Sequence, residues 1–450
     1  MELFGTAGIR GPVGDVVTPE LALAVGRAAG APGEEFVVGR DGRETGASLA
    51  AAVEAGLESV GSRVIRLGSV PTPALAYASR GRRGVMITAS HNPPADNGLK
   101  LFDDGTEYDR DAERRIEAAV DGGTEPVEWS SWGTSEHAAV LDAYRSAIIR
   151  YTNAAVGDCS TVRLTVDCGN GMASVATPHV LRELGATVVA LNANVDGHFP
   201  GRASKPTPES LADLRAFTAD GEFELGFGHD GDADRLVVVD SDGEIVHEDT
   251  VLAILAGFYA RQSDADDPVV VTTPNASTRI DEHVSEAGGR IERVRLGGLH
   301  EGVARVLERG TDDTEVVFAA EPWKHVHPEF GPWIDAVASA GVFGSLVARD
   351  GLDALREPIT ERPYRKANVT CSDDRKTNVM DTLESSLPDA FPEATVDTEY
   401  GLRLTFEDAS WTLIRPSGTE PYIRVYAESD SVDALVDDVT ALVERSVERD

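Results

Sequence analysis

The chain repeats one strand–loop–helix–strand plan three times, and this repetition limits its fold more than any other feature. In the first copy, a strand pattern ending at Gly39 precedes a helical pattern over residues 46–60 and a second strand pattern that starts over residues 61–65. Equivalent copies begin at Arg163 and at Pro268. Apolar runs that alternate with helical patterns in this way are typical of βαβ units. The sequence therefore predicts three similar α/β domains of mixed sheet with flanking helices.

The last part of the chain has a different pattern. Residues 364–370 alternate like a strand, residues 375–387 have helical spacing, and three further strand patterns precede a helical pattern over residues 431–448. This order predicts a C-terminal α+β domain. Because 450 residues are too many for one core, we expect several domains. The predicted domains are 1–145, 146–248, 249–362 and 363–450.

A short acidic segment, GHDGDADR at residues 228–235, precedes an apolar run that predicts a strand. Its three carboxylates are Asp230, Asp232 and Asp234. In extended chain, residues two apart point to one side, so these carboxylates would converge. Converging carboxylates repel unless a cation neutralises them, and an all-oxygen set favours Mg²⁺. A calcium loop is disfavoured, because Arg235 and Ser241 stand where it needs Gly and Glu.

The charge of the chain is strongly negative. It has 77 acidic and 41 basic residues, a net charge of −36, and only five of the basic residues are Lys. Such a surface excludes nucleic acid and anionic membranes as natural partners. At about 1 M salt the Debye length is only about 3 Å, which would screen the self-repulsion. We therefore expect a protein adapted to high salt.

Cysteine usage and hydropathy indicate a cytoplasmic protein. Cys159, Cys168 and Cys371 are odd in number and form no CxxC pair, so free thiols in a reducing compartment are expected. No apolar run approaches the roughly 18 residues of a membrane span. The first residues show no signal-peptide pattern.

A serine lies at the end of another predicted strand. Residues 84–88 feed the segment TASHNPP, and Ser90 follows the strand, where α/β folds place ligand sites. Polar turn residues are then expected to run on over residues 96–100. A lone serine is more often a turn residue or a helix cap, and no Gly-x-Ser-x-Gly elbow is present. Beside carboxylate-bound Mg²⁺, however, a serine could carry phosphate.

The segment RPSGTEP at residues 415–421 combines a guanidinium with two hydroxyls and backbone N–H groups around a glycine. These groups suit a phosphate cradle. An ordinary Pro/Gly turn remains the alternative from this segment alone.

Residues 88–93, 230–235 and 415–421 resemble, in order and spacing, motifs of the α-D-phosphohexomutase superfamily, and residues 3–11 resemble its opening. That superfamily includes phosphoglucomutases, phosphomannomutases and phosphoglucosamine mutases. The resemblance implies four domains around a central cleft. It also implies transfer of phosphate between the 1- and 6-positions of a hexose phosphate, with hexose 1,6-bisphosphate as intermediate and activator. A monomer or homodimer is expected.

The resemblance also implies residue roles. Ser90 would be the phosphoserine and would hold one Mg²⁺ per chain together with the three aspartates. His91 and Lys100 would serve proton transfer or charge stabilisation, while Arg10 and Arg235 would steady the moving phosphoryl group. The residues implied to hold the non-reacting phosphate are Arg415, Ser417, Gly418 and Thr419.

The sugar-reading loop departs from the family pattern. Where the family has a segment resembling Gly-Glu-x-Ser-Gly-His, residues 320–325 read AEPWKH. Glu321 and His325 match, whereas Trp323 replaces the serine and Lys324 a glycine. The resemblance implies sugar binding by Glu321 and His325, and Lys324 is a candidate donor to phosphate or hydroxyl groups.

Four functions are compatible with parts of this sequence. The leading interpretation is a phosphoglucomutase or phosphomannomutase type of enzyme. A phosphoglucosamine mutase is the alternative, because residues 96–102 and the opening segment look closer to that group. A phosphatase using the same serine and metal is less favoured, since a separate phosphate-binding domain can exclude water. A non-catalytic binding protein is disfavoured by the presence of Ser90, Lys100 and the three aspartates together.

Overall fold

A computed structural model describes residues 3–5, 8–417 and 420–449 of the chain. The chain forms two compact units. The first contains Met1–Glu248 and Trp323–Leu355, and the second contains Asp249–Pro322 and Arg356–Asp450. The division into four domains at residues 145, 248 and 362 stays a prediction.

The first sheet belongs to the first unit and has the strand order β1-β5-β4-β2-β3-β7, with β6 paired to β5. The helices α1 and α2 pack against each other beside it. Its elements are β1 (Ile9–Pro12), α1 (Pro19–Ala29), β2 (Glu35–Arg40), α2 (Gly46–Ser59), β3 (Arg63–Ser69), α3 (Thr72–Ala78), β4 (Arg83–Ile87), β5 (Asp96–Asp103), β6 (Thr106–Glu107), α4 (Arg110–Gly122), the 3₁₀ turn Trp129–Ser131, β7 (Ser135–His137) and α5 (Leu141–Ala155).

Strand β5 corrects one expectation. Residues 96–100 were predicted to continue a polar turn, but they pair antiparallel with β1 on one side and β4 on the other. A Cβ at Gly98 would lie 2.3 Å from the carbonyl oxygen of Ile9, so only glycine fits there. The polar side chains of Asn97 and Lys100 are buried. Their polarity masked the strand, because hydropathy patterns do not detect buried polar residues.

The second sheet, also in the first unit, has the order β12-β11-β10-β8-β9. Strand β8 is parallel to β9 and β10, whereas β10 and β11 are antiparallel. In this copy of the βαβ plan, a separate 3₁₀ turn precedes the helix. The elements are β8 (Arg163–Asp167), the 3₁₀ turn Met172–Val175, α6 (Thr177–Glu183), β9 (Thr187–Leu191), α7 (Ala212–Asp220), β10 (Leu225–His229), β11 (Leu236–Val239) and β12 (Ile245–Val246). The unit is completed by β16 (Lys324–Val326) and α11 (Ala336–Asp350).

The second unit contains the third βαβ copy and the C-terminal part. Strands β14 and β15 flank β13 and are parallel to it, and the antiparallel sheet β17-β21-β20-β19-β18 follows. The elements are α8 (Glu248–Gln262), β13 (Asp267–Thr272), α9 (Thr278–Glu286), β14 (Arg290–Arg293), α10 (Leu299–Arg309), β15 (Thr314–Glu321), β17 (Tyr364–Thr370), α13 (Lys376–Ala390), β18 (Thr395–Asp397), β19 (Leu402–Thr405), β20 (Trp411–Pro416), β21 (Tyr422–Glu428) and α14 (Val432–Arg449). The short helix α12 (Leu352–Arg356) begins in the first unit and ends at the first residue of this part of the second.

The predicted fold class is confirmed: three α/β portions precede an antiparallel α+β portion. The three cysteines are buried and free, as expected. Within the described ranges, no helix is both long and apolar enough to cross a membrane.

Candidate active site

Ser90 lies three residues beyond β4 in a tight loop, and its own side chain is buried. Its φ of 51° is in the left-handed region, which costs a non-glycine residue free energy and persists only where the surroundings enforce it. The Ser90 N–H donates to Thr88 Oγ1 at 2.9 Å. Its hydroxyl donates to Asp230 Oδ2 at 2.7 Å. The strained loop therefore aims the serine oxygen at the acidic segment.

Arg43, which was not predicted from the sequence, binds the backbone of this loop. Its side chain is fully buried, and its Nε donates to Asp41 Oδ2 at 3.1 Å. Its two terminal nitrogens donate to four backbone carbonyls of the serine loop, those of Ser90, Asn92, Pro93 and Asp96, at 2.6–2.9 Å. One planar guanidinium thus fixes the loop at four points. The sequence feature that could have indicated Arg43 is the charged pair Asp41 and Arg43, which follows the buried strand β2.

The acidic segment connects β10 to β11. The carboxylates of Asp230, Asp232 and Asp234 do converge, with one oxygen of each within 4.8 Å of the others, and all three residues are buried. The convergence was predicted from an extended chain, and that reason was wrong. The segment is a turn in which Ala233 has a φ of 62°. Asp230 Oδ1 accepts the N–H groups of Asp234 and Arg235, which closes the turn.

This oxygen cluster fits a hard cation. Asp232 Oδ1 and Asp234 Oδ1 are buried without a hydrogen-bond partner, which is costly for a carboxylate oxygen unless a cation is bound. The other oxygen of Asp232 is held by the Thr72 hydroxyl at 2.6 Å. Burial, followed by the charges of Asp234 and Asp232, raises the pKa of Asp230 well above its usual range.

Cations surround the carboxylates. Lys100 Nζ lies 3.0 Å from Asp234 Oδ2, and Arg235 Nε lies 3.7 Å from Asp230 Oδ2. Burial works to raise the pKa of Asp234, but Lys100, Lys324 and Arg235 outweigh it and hold that pKa well below the usual range.

Arg10 and His91 belong to the same cluster. On β1, Arg10 has buried Nε and Nη2 atoms without hydrogen-bond partners, so it can still donate to an anion. His91 Nδ1 lies 3.3 Å from Ser90 Oγ. Burial and the nearby charges of Arg235 and Arg10 lower the pKa of His91 to about 2, so this imidazole is neutral at pH 7.

The altered sugar loop is tied to the acidic turn. The Leu236 N–H donates to the Trp323 carbonyl at 2.9 Å, and the Arg235 guanidinium lies 6.0 Å from the Trp323 ring centroid. Lys324 is 9% exposed. These contacts bring Trp323 and Lys324 to the Ser90 cluster.

His325 is buried beneath the loop, and its Nδ1 lies 3.0 Å from Ser339 Oγ. The Ser339 hydroxyl donates to the Asp335 carbonyl at 2.7 Å, so His325 must donate its Nδ1 proton. Glu321 lies in the second unit at the end of β15, where its Oε2 accepts the Gly297 N–H at 3.4 Å.

The second unit also holds part of the predicted phosphate cradle. Arg415 on β20 pairs directly opposite Arg424 on β21. Like charges placed opposite each other destabilise a sheet, and the Nε atoms of both arginines are buried without hydrogen-bond partners. An anion bound between the two arginines would offset their repulsion and accept hydrogen bonds from their Nε atoms. Gly418 and Thr419 lie outside the described residues.

Two cradle residues were missed by the sequence reasoning. Arg424 Nη2 donates to Tyr422 Oη at 3.1 Å and lies 3.5 Å from Ser417 Oγ. Lys376 Nζ donates to the carbonyls of Ser417 and Glu420 at 2.6 and 2.7 Å, which fixes the ends of the loop. The alternation of side chains along β21 could have indicated Arg424, and the scarcity of lysine in the chain could have indicated Lys376.

Comparison with known proteins agrees with this site. Residues 1–126, 142–243 and 367–445 match "Phosphoglucomutase/phosphomannomutase" domain I, domain II and the C-terminal domain. The chain belongs to this family, within the α-D-phosphohexomutase superfamily. The resemblance of the motifs is thereby confirmed.

Individual relatives extend over nearly the whole chain. A phosphopentomutase of Thermococcus kodakarensis is 42% identical over 439 residues, covering 95% of this chain and 94% of its own. A probable phosphoglucosamine mutase of Methanopyrus kandleri is 39% identical, with coverages of 99% and 98%. A solved family member from Burkholderia thailandensis superposes with a TM-score of 0.85 at 26% identity, covering 99% and 97%. These relatives are mutases, and the chain is an enzyme of this isomerase class.

Proposed function

We propose that the protein moves phosphate between the 1- and 6-positions of a hexose phosphate through a phosphorylated Ser90. The observation that carries this proposal is the buried contact of Ser90 Oγ with Asp230 inside a cluster of carboxylates and cations. A hydroxyl placed there can exchange a phosphoryl group, because the cations offset the charge of the transferring oxygens.

The transfer of the phosphoryl group needs no reactant besides phospho-Ser90 and the sugar phosphate. As the Oγ–P bond of phospho-Ser90 breaks, a new O–P bond forms to the free sugar hydroxyl, whose proton passes to Ser90 Oγ. His91 would relay that proton, which is supported by the 3.3 Å distance between its Nδ1 and Ser90 Oγ. The bisphosphate then reverses its orientation in the site and transfers its other phosphate to Ser90. Lys100, Arg10 and Arg235 stabilise the transferring group.

The Ser90 cluster also suits one Mg²⁺, with Asp230, Asp232, Asp234 and phospho-Ser90 as its ligands. The ion would neutralise phosphoryl oxygens and lower the cost of bringing two anions together.

In the second unit, Arg415, Arg424 and Ser417 would bind the phosphate that is not reacting. Gly418 and Thr419 would join them, as the sequence motif predicts, and Glu321 would accept hydrogen bonds from sugar hydroxyls. His325, whose Nδ1 proton is committed to Ser339, would offer Nε2 as an acceptor.

Two other substrates compete with a neutral hexose phosphate. The names of the relatives favour a pentose phosphate or glucosamine phosphate, respectively. The experiment compares three substrate classes: neutral hexoses as glucose and mannose 1-phosphate, an amino sugar as glucosamine 1-phosphate, and a pentose as ribose 1-phosphate. Each is incubated with the protein, Mg²⁺ and a trace of the matching bisphosphate. Phosphorus NMR should show conversion to the 6-phosphate, or to the 5-phosphate for ribose. Release of inorganic phosphate instead would identify a phosphatase.

A further inference from the structure

Arg202 lies on the segment between β9 and α7, and its side chain is only 5% exposed. Its Nη2 donates to the carbonyl of His229 at 2.6 Å and to that of Asp167 at 3.3 Å. His229 is the last residue of β10 and directly precedes Asp230. The guanidinium of Arg202 therefore binds the backbone where the acidic turn begins.

Asp167 anchors this guanidinium. Arg202 Nε donates to Asp167 Oδ2 at 2.9 Å. The other carboxylate oxygen of Asp167 accepts the Gly169 N–H at 2.8 Å and Asn192 Nδ2 at 3.1 Å. Asp167 ends β8 and is fully buried. Because both of its oxygens accept hydrogen bonds, Asp167 holds Arg202 at a fixed place beside the turn.

The serine loop is held by an equivalent pair of residues. The two sheets of the first unit share a run of three parallel strands, β4-β2-β3 in one and β10-β8-β9 in the other. Asp41 and Asp167 lie at the carboxyl ends of the two central strands, and each accepts the Nε of an arginine, Arg43 or Arg202. Each arginine then donates to backbone carbonyls beyond β4 or at the end of β10. Equivalent pairs thus bind the backbone of the serine loop and of the acidic turn.

His229 joins the two ends of the acidic turn. Its Nδ1 lies 2.9 Å from the carbonyl oxygen of Arg235, and because a carbonyl can only accept, this nitrogen donates the proton. Arg202 binds the carbonyl of the same histidine. A shift of the guanidinium would therefore act on both ends of the turn.

The middle of the turn is held by backbone groups. The carbonyl of Gly231 accepts the Met172 N–H at 2.9 Å, and that of Asp232 accepts the Thr72 N–H at 3.0 Å. These two contacts do not depend on Arg202. Replacing Arg202 should therefore loosen the start of the turn without unfolding it.

We propose that Arg202 is a positioning residue that sets the place of Asp230 for metal binding, an inference that rests on the proposed function of the Ser90 cluster. Asp230 carries the oxygen to which the Ser90 hydroxyl donates, and it supplies one of the three converging carboxylates. Loss of an outer contact that orients metal ligands costs about 10- to 100-fold in metal affinity. Since the middle of the turn stays held, we expect a loss of about tenfold.

The test measures the Kd of Mg²⁺ by calorimetry on protein without phosphate on Ser90. Arg202→Lys keeps a positive charge beside Asp167, but an ammonium cannot reproduce the planar fork that reaches both Asp167 and the His229 carbonyl. The Kd should rise about tenfold. The free energy of unfolding is measured in parallel, because a merely structural role would lower it and leave the Kd of the folded protein unchanged. An unchanged Kd overturns the inference.

Two further arginines provide the comparison. Arg215 also combines a carbonyl with a carboxylate, those of Gly243 at 2.8 Å and Glu244 at 2.9 Å, but at the hairpin between β11 and β12. Arg215→Lys should keep the wild-type Kd of Mg²⁺. Arg43→Lys loosens the serine loop and should change the Kd less than Arg202→Lys does. Equal weakening in Arg43→Lys and Arg202→Lys would indicate a general disturbance of the cluster and overturn the inference.

A second variant keeps the test decisive if Arg202→Lys does not fold. Asp167→Asn keeps the shape of the side chain and one oxygen for the Gly169 and Asn192 donors, but it removes the charge that anchors Arg202. It should also weaken Mg²⁺ binding, and its effect should not add to that of Arg202→Lys in the double variant. A wild-type Kd in Asp167→Asn overturns the inference.

The Kd measurement also separates this inference from the proposed function. A protein that shows these differences in Mg²⁺ affinity but isomerises no sugar phosphate contradicts the proposed function and supports the role of Arg202. A working mutase whose Mg²⁺ affinity is the same in the wild type and in Arg202→Lys supports the proposed function and overturns this inference.

Discussion

The Ser90 hydroxyl donates to Asp230 Oδ2 at 2.7 Å, although 140 positions separate the two residues. Each residue lies on a loop that leaves a different sheet of the first unit. A Cβ at Gly231 would come within 2.7 Å of the Ser90 carbonyl oxygen, so the two loops can approach this closely only with glycine between them. This contact joins the candidate nucleophile to the candidate metal ligands.

Replacing Ser90 tests the nucleophile directly. Ser90→Ala should lower turnover by at least about a thousandfold, since the covalent phosphate acceptor is lost. The fold should survive, because losing one hydrogen bond to a carboxylate costs about 1.5–3 kcal/mol, less than the stability of a typical protein. Peptide mapping should find phosphate on Ser90 in part of the wild-type protein. Near-normal turnover in the variant would refute a phosphoserine mechanism.

Asp232 tests the metal site through stability as well as rate. Without metal, three buried carboxylates repel, so Asp232→Asn should not lower the thermal midpoint and is expected to raise it. Mg²⁺ at about a hundred times its Kd should stabilise the wild type by about 2.7 kcal/mol, and this gain should disappear in the variant. Mg²⁺ should therefore raise the thermal midpoint of the wild type and leave that of the variant unchanged.

The control for this measurement is Asp242→Asn, an exposed aspartate in the turn between β11 and β12. It should keep both the Mg²⁺-dependent stabilisation and the activity, and chelation should abolish turnover in it as in the wild type. Full activity in the presence of a chelator would contradict the metal requirement.

Arg43 tests whether the geometry of the serine loop matters to the reaction. Arg43→Lys keeps a charge beside Asp41 but cannot donate to four carbonyls at once. A displacement of about 1 Å in a reacting group costs about a hundredfold in rate, so kcat should fall about that much while KM changes little. Arg27→Lys is the control, because within the part of the chain that the structure describes the Arg27 side chain on α1 donates only to Ser59 Oγ, at 3.2 Å. Equal losses in both variants would argue against a positioning role.

The net charge of −36 leads to a prediction about salt. Because like charges repel less when the Debye length is short, the thermal midpoint should rise from low to molar KCl. Sucrose at matched osmolarity separates screening from preferential exclusion. A midpoint that stays constant or falls with KCl would contradict adaptation to high salt.

The fold was largely predictable, because it depends on periodicity. The strand patterns after Arg163 and Pro268 became β8 and β13, and the helical pattern over residues 46–60 became α2. Strand β5 was missed, because its Asn97 and Lys100 are polar although both are buried. Patterns of hydropathy predict elements whose burial is apolar and fail where burial serves a site.

The site was predictable as motifs but not as geometry. The three aspartates were found, yet their convergence depends on the left-handed Ala233, which no local pattern indicated. Arg43 was missed because its partners are backbone carbonyls 47 to 53 positions away. The rarity of lysine was a signal that pointed to Lys324 but was not applied to Lys376: Lys100, Lys324 and Lys376 are three of the five lysines and lie at the two candidate binding regions.

Arg415 tests the phosphate cradle of the second unit. It faces Arg424 across the sheet, and a bidentate guanidinium–phosphate pair has a geometry that lysine cannot reproduce. Arg415→Lys should therefore raise KM about tenfold, with a smaller change in kcat, because this contact holds the substrate equally before and during transfer. The variant should also release more bisphosphate intermediate, visible by phosphorus NMR. The control is Arg365→Lys, an exposed residue of the same sheet that pairs with Asp433 at 3.1 Å. If KM and leakage match the control, the segment around Arg415 is an ordinary turn.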